Sequence, residues 1–214
     1  MPRALLQHLE LLRNLGLREL YRPAAAARED ETSLESLRQS HSNCQNCPLG
    51  ALRNHIVYGE GNPRARAMLI GEAPGAEEDR TGRPFVGEAG KLLDNMLAAI
   101  ELSREDIYIC NILKCRPPHN RDPEAAERDA CLPQLLEQIE IIQPKIILML
   151  GRIAAQTLLQ SRLTLEKLRS EVHTFQGIPS YVTYHPAALL RNPNWKRPAW
   201  ADLQKFRDHY RSLG

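Results

Sequence analysis

The chain has 214 residues, and its 28 lysines and arginines against 26 aspartates and glutamates give a formal net charge of +2. A nearly neutral chain has no overall basic field, so any surface for nucleic acid must be local. The length suits one domain with a full core plus an appendage. The longest apolar run, Ile146–Leu150, is far too short to span a bilayer, and charged residues interrupt the leucine-rich N-terminus, unlike a signal peptide. We therefore expect a cytoplasmic protein without a membrane segment.

The first forty residues carry no residues with obvious chemistry. Leucines at helical spacing over residues 4–20 predict an amphipathic helix. Residues 28–40 are polar and mostly charged, which is typical of a linker. The sequence therefore predicts a helix on a linker over residues 1–40, followed by one domain over residues 41–214.

Strands and helices alternate through the rest of the chain. Four short segments are predicted as strands, at residues 67–70, 107–110, 145–150 and 180–184, and the first three are mainly apolar. Apolar residues at helical spacing predict helices at residues 87–102, 123–142, 153–160 and 199–213. Such alternation is typical of the α/β class with a largely parallel sheet.

Three of the predicted strands are followed directly by a residue that could belong to a ligand-binding site. These residues are Gly71, Asn111 and His185. The first of these ends opens a loop rich in glycine, proline and acids, GEAPGAEED. In open α/β sheets, ligands bind outside the carboxyl ends of the strands. We therefore expect the three strand ends to converge on one pocket.

Four of the five cysteines form two groups. Cys44 and Cys47 lie in a polar loop with no strand before it, which does not fit a thioredoxin-like redox motif. Cys115 and Cys131 form the second group, and together the four supply enough thiolates for a tetrahedral zinc or an iron–sulfur cluster. The spacing does not separate these two metals. Cys110, inside an apolar strand, is expected to be a small buried hydrophobic residue.

Three motifs, GEAPGAEEDRTGRPFVG, NILKCRPPHNRDP and HPAALLRNP, together with the four cysteines, resemble the family 4 uracil-DNA glycosylases, the iron–sulfur members of their superfamily. The resemblance covers about residues 41–213. It implies a three-layer α/β/α fold with a four-stranded sheet, and excision of uracil from DNA in base excision repair. It also implies a [4Fe–4S] cluster on Cys44, Cys47, Cys115 and Cys131. The expected partner is uracil-containing DNA, single- or double-stranded. The protein is expected to be a monomer associated with a prokaryotic nucleoid.

The resemblance assigns roles to individual residues. Phe85 is similar to the aromatic residue that stacks on the flipped uracil, Asn111 to the asparagine that reads its edge, and His185 to the histidine beside uracil O2. One amide can accept from uracil N3–H while donating to O4, and a donor at O2 stabilises the leaving anion.

The loop Pro186–Arg191 is similar to a wedge that enters the duplex, with Leu189 and Leu190 at its tip. Arg116 and Arg191 are expected to contact DNA, and Lys114 and Arg121 add positive charge beside the cysteine loop.

The loop after the first predicted strand is less well defined. The best-known family of this superfamily carries there an aspartate that orients the water, whereas this chain has Ala73. Glu72 is the nearest carboxylate and is the predicted water-activating group, with backbone carbonyls of the loop as the alternative. Glu78 is similar to the residue that excludes thymine, and Gly71, Ala73 and Gly75 are expected to line the substrate.

Two other functions stay open at this point. A metal-bearing module could bind or trap uracil without turnover, as some relatives do through an inserted basic loop with a histidine. This chain has only the short loop PPHNR in that place, with His119 in it. A phosphate-binding hydrolase on residues 71–75 is the second alternative, but the chain lacks both G-x-G-x-x-G and a Walker lysine.

Overall fold

The computed structural model describes residues 33–213, which belong to one compact unit. The helix predicted over residues 4–20 and the first part of the predicted linker lie outside this range. Within the described part of the chain, no helix is long and apolar enough to cross a membrane.

The end of the predicted linker is helical. Helix α1 covers Leu34–Ser40 and begins after Ser33, whose hydroxyl accepts a hydrogen bond from the Ser36 N–H at 3.1 Å. Serine is a favourable residue at this position because its oxygen satisfies an otherwise free N–H group. Leu37 is buried, and Leu34 packs against the core. The charged composition of the segment concealed these two leucines, and the linker prediction was wrong for this stretch.

One sheet runs through the described residues. It has six strands in the spatial order β1, β3, β2, β4, β6, β5. The strands are β1 Glu60–Gly61, β2 Ala67–Gly71, β3 Ile107–Asn111, β4 Ile146–Leu150, β5 His173–Phe175 and β6 Ile178–Thr183. The four central strands are parallel to one another, and the two edge strands pair in the antiparallel sense. The predicted strand count of four was wrong, because the edge strands are too short to form an apolar run.

Helices cover both faces of the sheet. After α1 they are α2 Ala76–Thr81, α3 Glu88–Ala98, α4 Ala125–Ile142, α5 Arg152–Leu158, α6 Leu165–Arg169, α7 Pro186–Arg191 and α8 Lys196–Ser212. The four predicted helices correspond to α3, α4, α5 and α8, with their ends shifted by a few residues. The segment predicted as a wedge loop forms α7, a short helix that begins with Pro186 at its first position.

The core lies on the two faces of the sheet because side chains alternate along each strand. On one face Met68 and Ile70 of β2 pack with residues of α4 and α5. On the other face Ala67 and Leu69 pack with residues of α3 and α8. Strands β2, β3 and β4 are buried at every position, which explains why they read as continuous apolar runs.

The strand register brings the predicted site residues to one edge of the sheet. Gly71, the last residue of β2, pairs with Asn111, the last residue of β3. The neighbouring Ile112 N–H donates to the Gly71 carbonyl at 2.9 Å. His185 follows two residues after the end of β6 at Thr183. The expected convergence of the three strand ends is therefore what the fold provides.

Candidate active site and cysteine cavity

Gly71, at the end of β2, leaves room for the Phe85 ring and the Asn111 amide to lie close to its backbone. A β-carbon at this residue would lie 2.4 Å from Asn111 Oδ1 and 2.6 Å from Phe85 Cζ. Neither neighbour is the end of a long flexible chain, so only glycine fits here. The sequence predicted these three residues as parts of one pocket, and the structure brings them together.

Phe85 is held in an uncommon backbone conformation. Its φ is 52°, in the left-handed region that bulky residues rarely adopt. The Arg104 guanidinium donates to the carbonyls of Pro84, at 3.0 Å, and of Phe85, and it also pairs with Asp94 at 2.7 Å. Gly90 of α3 makes room for this turn, since a β-carbon there would lie 1.8 Å from the Phe85 carbonyl oxygen. These contacts hold the backbone of Phe85 in place and thereby set the position of its ring.

Asn111 has a buried acceptor without a partner. The residue is 1% exposed, and within residues 33–213 its Oδ1 atom forms no hydrogen bond. A buried polar atom left unpaired costs free energy, so such an atom needs an explanation. A ligand that donates a hydrogen bond into the pocket beside Phe85 would satisfy it.

Lys114 is a buried residue that holds the backbone of Asn111. It is completely buried, and its Nζ donates to the Asn111 carbonyl at 2.9 Å and to Gln138 Oε1 at 2.5 Å. The Gln138 amide in turn donates to the Tyr58 carbonyl at 2.9 Å. The prediction that Lys114 adds positive charge to a DNA-facing surface was therefore wrong. Arg121 was also predicted to add positive charge there, and it forms an ion pair with the buried carboxylate of Glu127 at 2.6 Å.

His185 presents a neutral ring with a defined tautomer. Its Nδ1 accepts a hydrogen bond from the Ala187 N–H at 3.2 Å, so Nε2 carries the proton. Burial, and then the positive charge of Arg191, lower the pKa of His185 to about 4, although Glu78 acts in the opposite direction. The His185 ring lies 5.5 Å from that of Phe85, centroid to centroid. At neutral pH this residue can donate one hydrogen bond without carrying charge.

Glu78 ties the loop after β2 to the segment that carries Phe85. One carboxylate oxygen accepts from the Gly75 N–H at 3.1 Å, and the other from the N–H groups of Val86 and Gly87 at 2.8 and 2.9 Å. These contacts give Glu78 a positioning role for the loop. Its predicted part in thymine exclusion stays a prediction, and Gly75 is the N-cap residue directly before α2.

Glu72 has a carboxyl group that exchanges its proton near neutral pH. Burial, and next the negative charge of Asp122, raise the pKa of Glu72 to about 7, and three arginines oppose the shift: Arg152, Arg128 and Arg191. A group with such a pKa suits acid–base work at neutral pH. Ala73, the next residue, packs against the core instead of offering a polar group.

The predicted wedge is only partly available to DNA. Leu189 is 1% exposed and packs in the core, so its assignment to the wedge tip was wrong. Leu190 is 45% exposed, and Arg191 is exposed too. Helix formation explains the difference, because successive side chains of a helix point about a quarter-turn apart. Arg116 is half-buried and donates to Asn120 Oδ1 at 2.7 Å.

All four predicted metal-binding cysteines line one small cavity. Three of their sulfurs receive N–H groups, from the Gln134 side chain to Cys44 at 3.2 Å, from the Lys114 backbone to Cys131 at 3.3 Å and from Arg53 to Cys115 at 3.5 Å. No described cysteine is in a disulfide, and Cys110 is fully buried in β3 as expected.

Among residues 33–213, no three histidine, cysteine, aspartate or glutamate side chains are already arranged to hold a single metal ion. The donor set of four sulfurs around one cavity, with N–H groups directed at three of them, fits the ligands of an iron–sulfur cluster.

Sequence reasoning missed the residues that position the site. Arg104 lies nineteen residues after Phe85, in a polar turn with no motif around it. Gln138 lies mid-helix in α4, and a single polar residue on a helix gives no sign that it will be buried. Lys114 belongs to a quoted motif, but its charge suggested a surface role. Its place directly beside Cys115, a predicted metal ligand, was the one signal that pointed to it.

Comparison with known proteins agrees with this geometry. The family model for the uracil DNA glycosylase superfamily matches residues 58–204. A type-4 uracil-DNA glycosylase of Sulfurisphaera tokodaii is 43% identical over 185 residues, which cover 82% of this chain and 84% of the relative. One from Thermotoga maritima is 40% identical over 188 residues, covering 86% and 98% respectively. One from Saccharolobus solfataricus is 44% identical over 185 residues, covering 82% and 86%. The chain therefore belongs to the uracil-DNA glycosylase superfamily and, within it, to the type-4 family.

Proposed function

We propose that this protein flips uracil out of DNA and hydrolyses its N-glycosidic bond, which releases free uracil and leaves an abasic site for base excision repair. The observation that carries the proposal is the buried Oδ1 of Asn111, which lies beside the Phe85 ring and has no hydrogen-bond partner within residues 33–213. The relatives named type-4 uracil-DNA glycosylases support the same activity.

Recognition of the base follows from the amide of Asn111. Its oxygen accepts from uracil N3–H while its nitrogen donates to uracil O4. Cytosine presents an acceptor and a donor at these two places, so it would leave buried polar groups unpaired. The Phe85 ring supplies the surface on which a base removed from the stack can lie. The loop of Gly71, Ala73 and Gly75 closes this pocket beside β2.

Bond cleavage follows from His185. As the bond between N1 and C1′ breaks, its electron pair moves onto uracil and positive charge develops on the sugar. The neutral His185 donates a hydrogen bond from Nε2–H to uracil O2, where the negative charge accumulates, and keeps its proton. A water molecule then bonds to C1′ and gives up a proton, for which the Glu72 carboxylate is the proposed acceptor. The released uracil anion takes a proton from solvent.

Four cysteines are proposed to hold a [4Fe–4S] cluster, with zinc as the alternative metal: Cys44, Cys47, Cys115 and Cys131. These four thiolates would bind its irons, and a bound cluster would cross-link the segment after α1, the loop after β3 and helix α4. Lys114 lies between this cavity and Asn111, since its backbone N–H meets Cys131 and its Nζ meets the Asn111 carbonyl. Lys114 therefore contacts both a proposed cluster ligand and the base-reading residue.

The experiment that tests the function is release of free uracil from an oligonucleotide with a single uracil, at an excess of DNA over protein. Repeated turnover with uracil, and none with thymine or cytosine at the same position, is the expected result. A complex that stays together after one event would favour the uracil-trapping alternative. Asn111→Ala is the matched control, because it removes the base-reading amide. We expect the active species to be a monomer, which light scattering of the same sample would test.

A further inference from the structure

Trp195 lies at the outer end of a stack of three side chains. Tyr184 is buried, and the guanidinium carbon of Arg169 lies 4.0 Å from the centre of its ring. The Trp195 ring stacks on Tyr184 with 5.0 Å between the centroids and 21° between the planes. One face of a tyrosine cannot hold both groups at these distances, so they cover opposite faces.

A buried ion pair anchors the inner end of the stack. Arg169 donates to Asp202 of α8 at 2.7 Å, and both side chains are almost fully covered. Thr183, the last residue of β6, donates to the same carboxylate oxygen at 2.8 Å. Arg169 also donates to the Tyr184 hydroxyl at 2.9 Å. The stack is therefore fixed to the strand end that carries His185, and its outer ring stays 38% exposed.

The chain segment that carries Trp195 is positively charged. No aspartate or glutamate occurs from residue 185 to residue 201, whereas Arg191, Lys196 and Arg197 lie in this stretch and are all exposed. In the part of the chain that the structure describes, none of the three forms an ion pair. Cations without protein partners are available for phosphate groups, and their release of counterions favours binding of nucleic acid.

We propose that Trp195 binds an unpaired nucleobase of single-stranded DNA, while Arg191, Lys196 and Arg197 contact the phosphates around it. This inference rests on the proposed function, because it places the strand beside the extracted uracil. An exposed, rigid indole in a basic surface is the combination by which proteins bind single strands with little sequence preference. Bases in a duplex already stack on one another, so the contact favours single-stranded substrates.

Tryptophan fluorescence tests the inference directly, because the chain has two tryptophans, Trp195 and Trp200. Trp200 is a matched control: it is 37% exposed, and within residues 33–213 it has no aromatic stacking partner. The probe is single-stranded oligothymidylate of about 12 nucleotides, within the usual site size for such surfaces. Trp200→Phe, which keeps only Trp195, should lose fluorescence as the probe is added. Trp195→Phe should show almost no change, and equal quenching of both variants would overturn the inference.

Affinity measurements on the same probe separate stacking from a purely structural role. Trp195→Ala should weaken binding of the single strand by about 5- to 100-fold, the usual effect of losing one stacked base. Its binding of a duplex of the same length should change much less, and Trp200→Ala should leave both affinities near wild type. If Trp195→Ala binds the single strand as tightly as wild type, the inference is wrong even where uracil release proceeds. If wild type quenches on the probe but releases no uracil, the proposed function fails while the surface stands.

Discussion

The Nδ1 atom of His185 accepts a hydrogen bond from the Ala187 N–H, and this contact determines which ring nitrogen carries the proton. Because a neutral Nε2–H meets charge that appears only as the glycosidic bond breaks, His185→Ala should slow the single-turnover rate by about 10²- to 10³-fold. Affinity for uracil-containing DNA should stay near wild type, since the contact is confined to the transition state. If His185→Ala binds the DNA poorly but cleaves at the normal rate once saturated, the catalytic role of His185 is wrong.

A methyl group at residue 71 should disable the pocket while the fold survives. The backbone of Gly71 is not in the left-handed region, so Gly71→Ala acts through its clash with Phe85 and Asn111. We expect the rate of uracil release to fall by about 100-fold, the effect of misplacing reacting groups by about 1 Å. Gly87→Ala is the control, because its β-carbon would meet no atom closer than 3.5 Å. Equal rates for the two variants would show that the close approach at Gly71 does not matter.

The rate of uracil release should depend on pH through Glu72. With a pKa raised to about 7 by burial, this carboxyl loses its proton as the pH rises through neutrality. If the carboxylate accepts the proton of the attacking water, the rate should rise through about pH 7 and then level off. Glu72→Gln should be slower at high pH and should lack this rise. An unchanged pH profile in the variant would point to the backbone carbonyls instead.

The same pKa shift makes a separate prediction for stability. The folded protein binds the Glu72 proton more tightly than the unfolded chain, so folding is favoured at low pH and loses this contribution between about pH 4.5 and 7. Wild type and Glu72→Gln should therefore differ little in thermal unfolding below pH 4.5. Above pH 7 the variant should unfold at a temperature a few degrees higher, because it carries no buried charge. A difference of the opposite sign would mean that the folded protein stabilises the charged carboxylate.

If the four cysteines of the cavity hold an iron–sulfur cluster, the purified protein should be coloured. Anaerobically purified protein should be brown and hold about four irons, since four thiolates are the full ligand set of a [4Fe–4S] cluster. Cys131→Ala should lose the colour and unfold at a lower temperature, because the tie between α4 and the loop after β3 is gone. Cys110→Ala is the control and should stay brown, as Cys110 lies in the sheet away from the cavity lining. A colourless wild type that holds zinc would contradict the cluster.

Arg191 and Arg116 should contribute to the salt dependence of DNA binding. Removing one arginine that neutralises a phosphate should lower the slope of log affinity against log salt by roughly 0.7 to 0.9. Arg191→Ala should show the larger change, because Arg116 already donates to Asn120. Arg211→Ala is the control, since Arg211 pairs with Glu101 beyond the end of α3, at the other edge of the sheet from the site. Identical slopes for wild type and Arg191→Ala would place Arg191 away from the backbone of the DNA.

Local chemistry made parts of the site visible in the sequence. Gly71, Asn111 and His185 each follow a predicted strand, and a parallel sheet places such ends at one edge whatever the rest of the fold does. The burial of Cys110 follows in the same way from its place inside a strand. By contrast, Leu189 and Leu190 are adjacent and chemically alike, so only the helix that contains them separates the buried one from the exposed one.

The sequence by itself determined the α/β class, the four central strands, the four cysteines that share a cavity and the residues at the strand ends. These depend on apolar periodicity and on residue type, which are local properties of the chain. Only the tertiary structure decided the support of the site: Arg104 on the Phe85 carbonyl, Lys114 beneath Asn111, and the stack of Arg169, Tyr184 and Trp195. The physical reason is that most of these contacts join segments far apart in the chain, and even Lys114, only three residues from Asn111, is buried against Gln138 of α4. A charged or aromatic side chain carries no local sign of the partner that packing will give it.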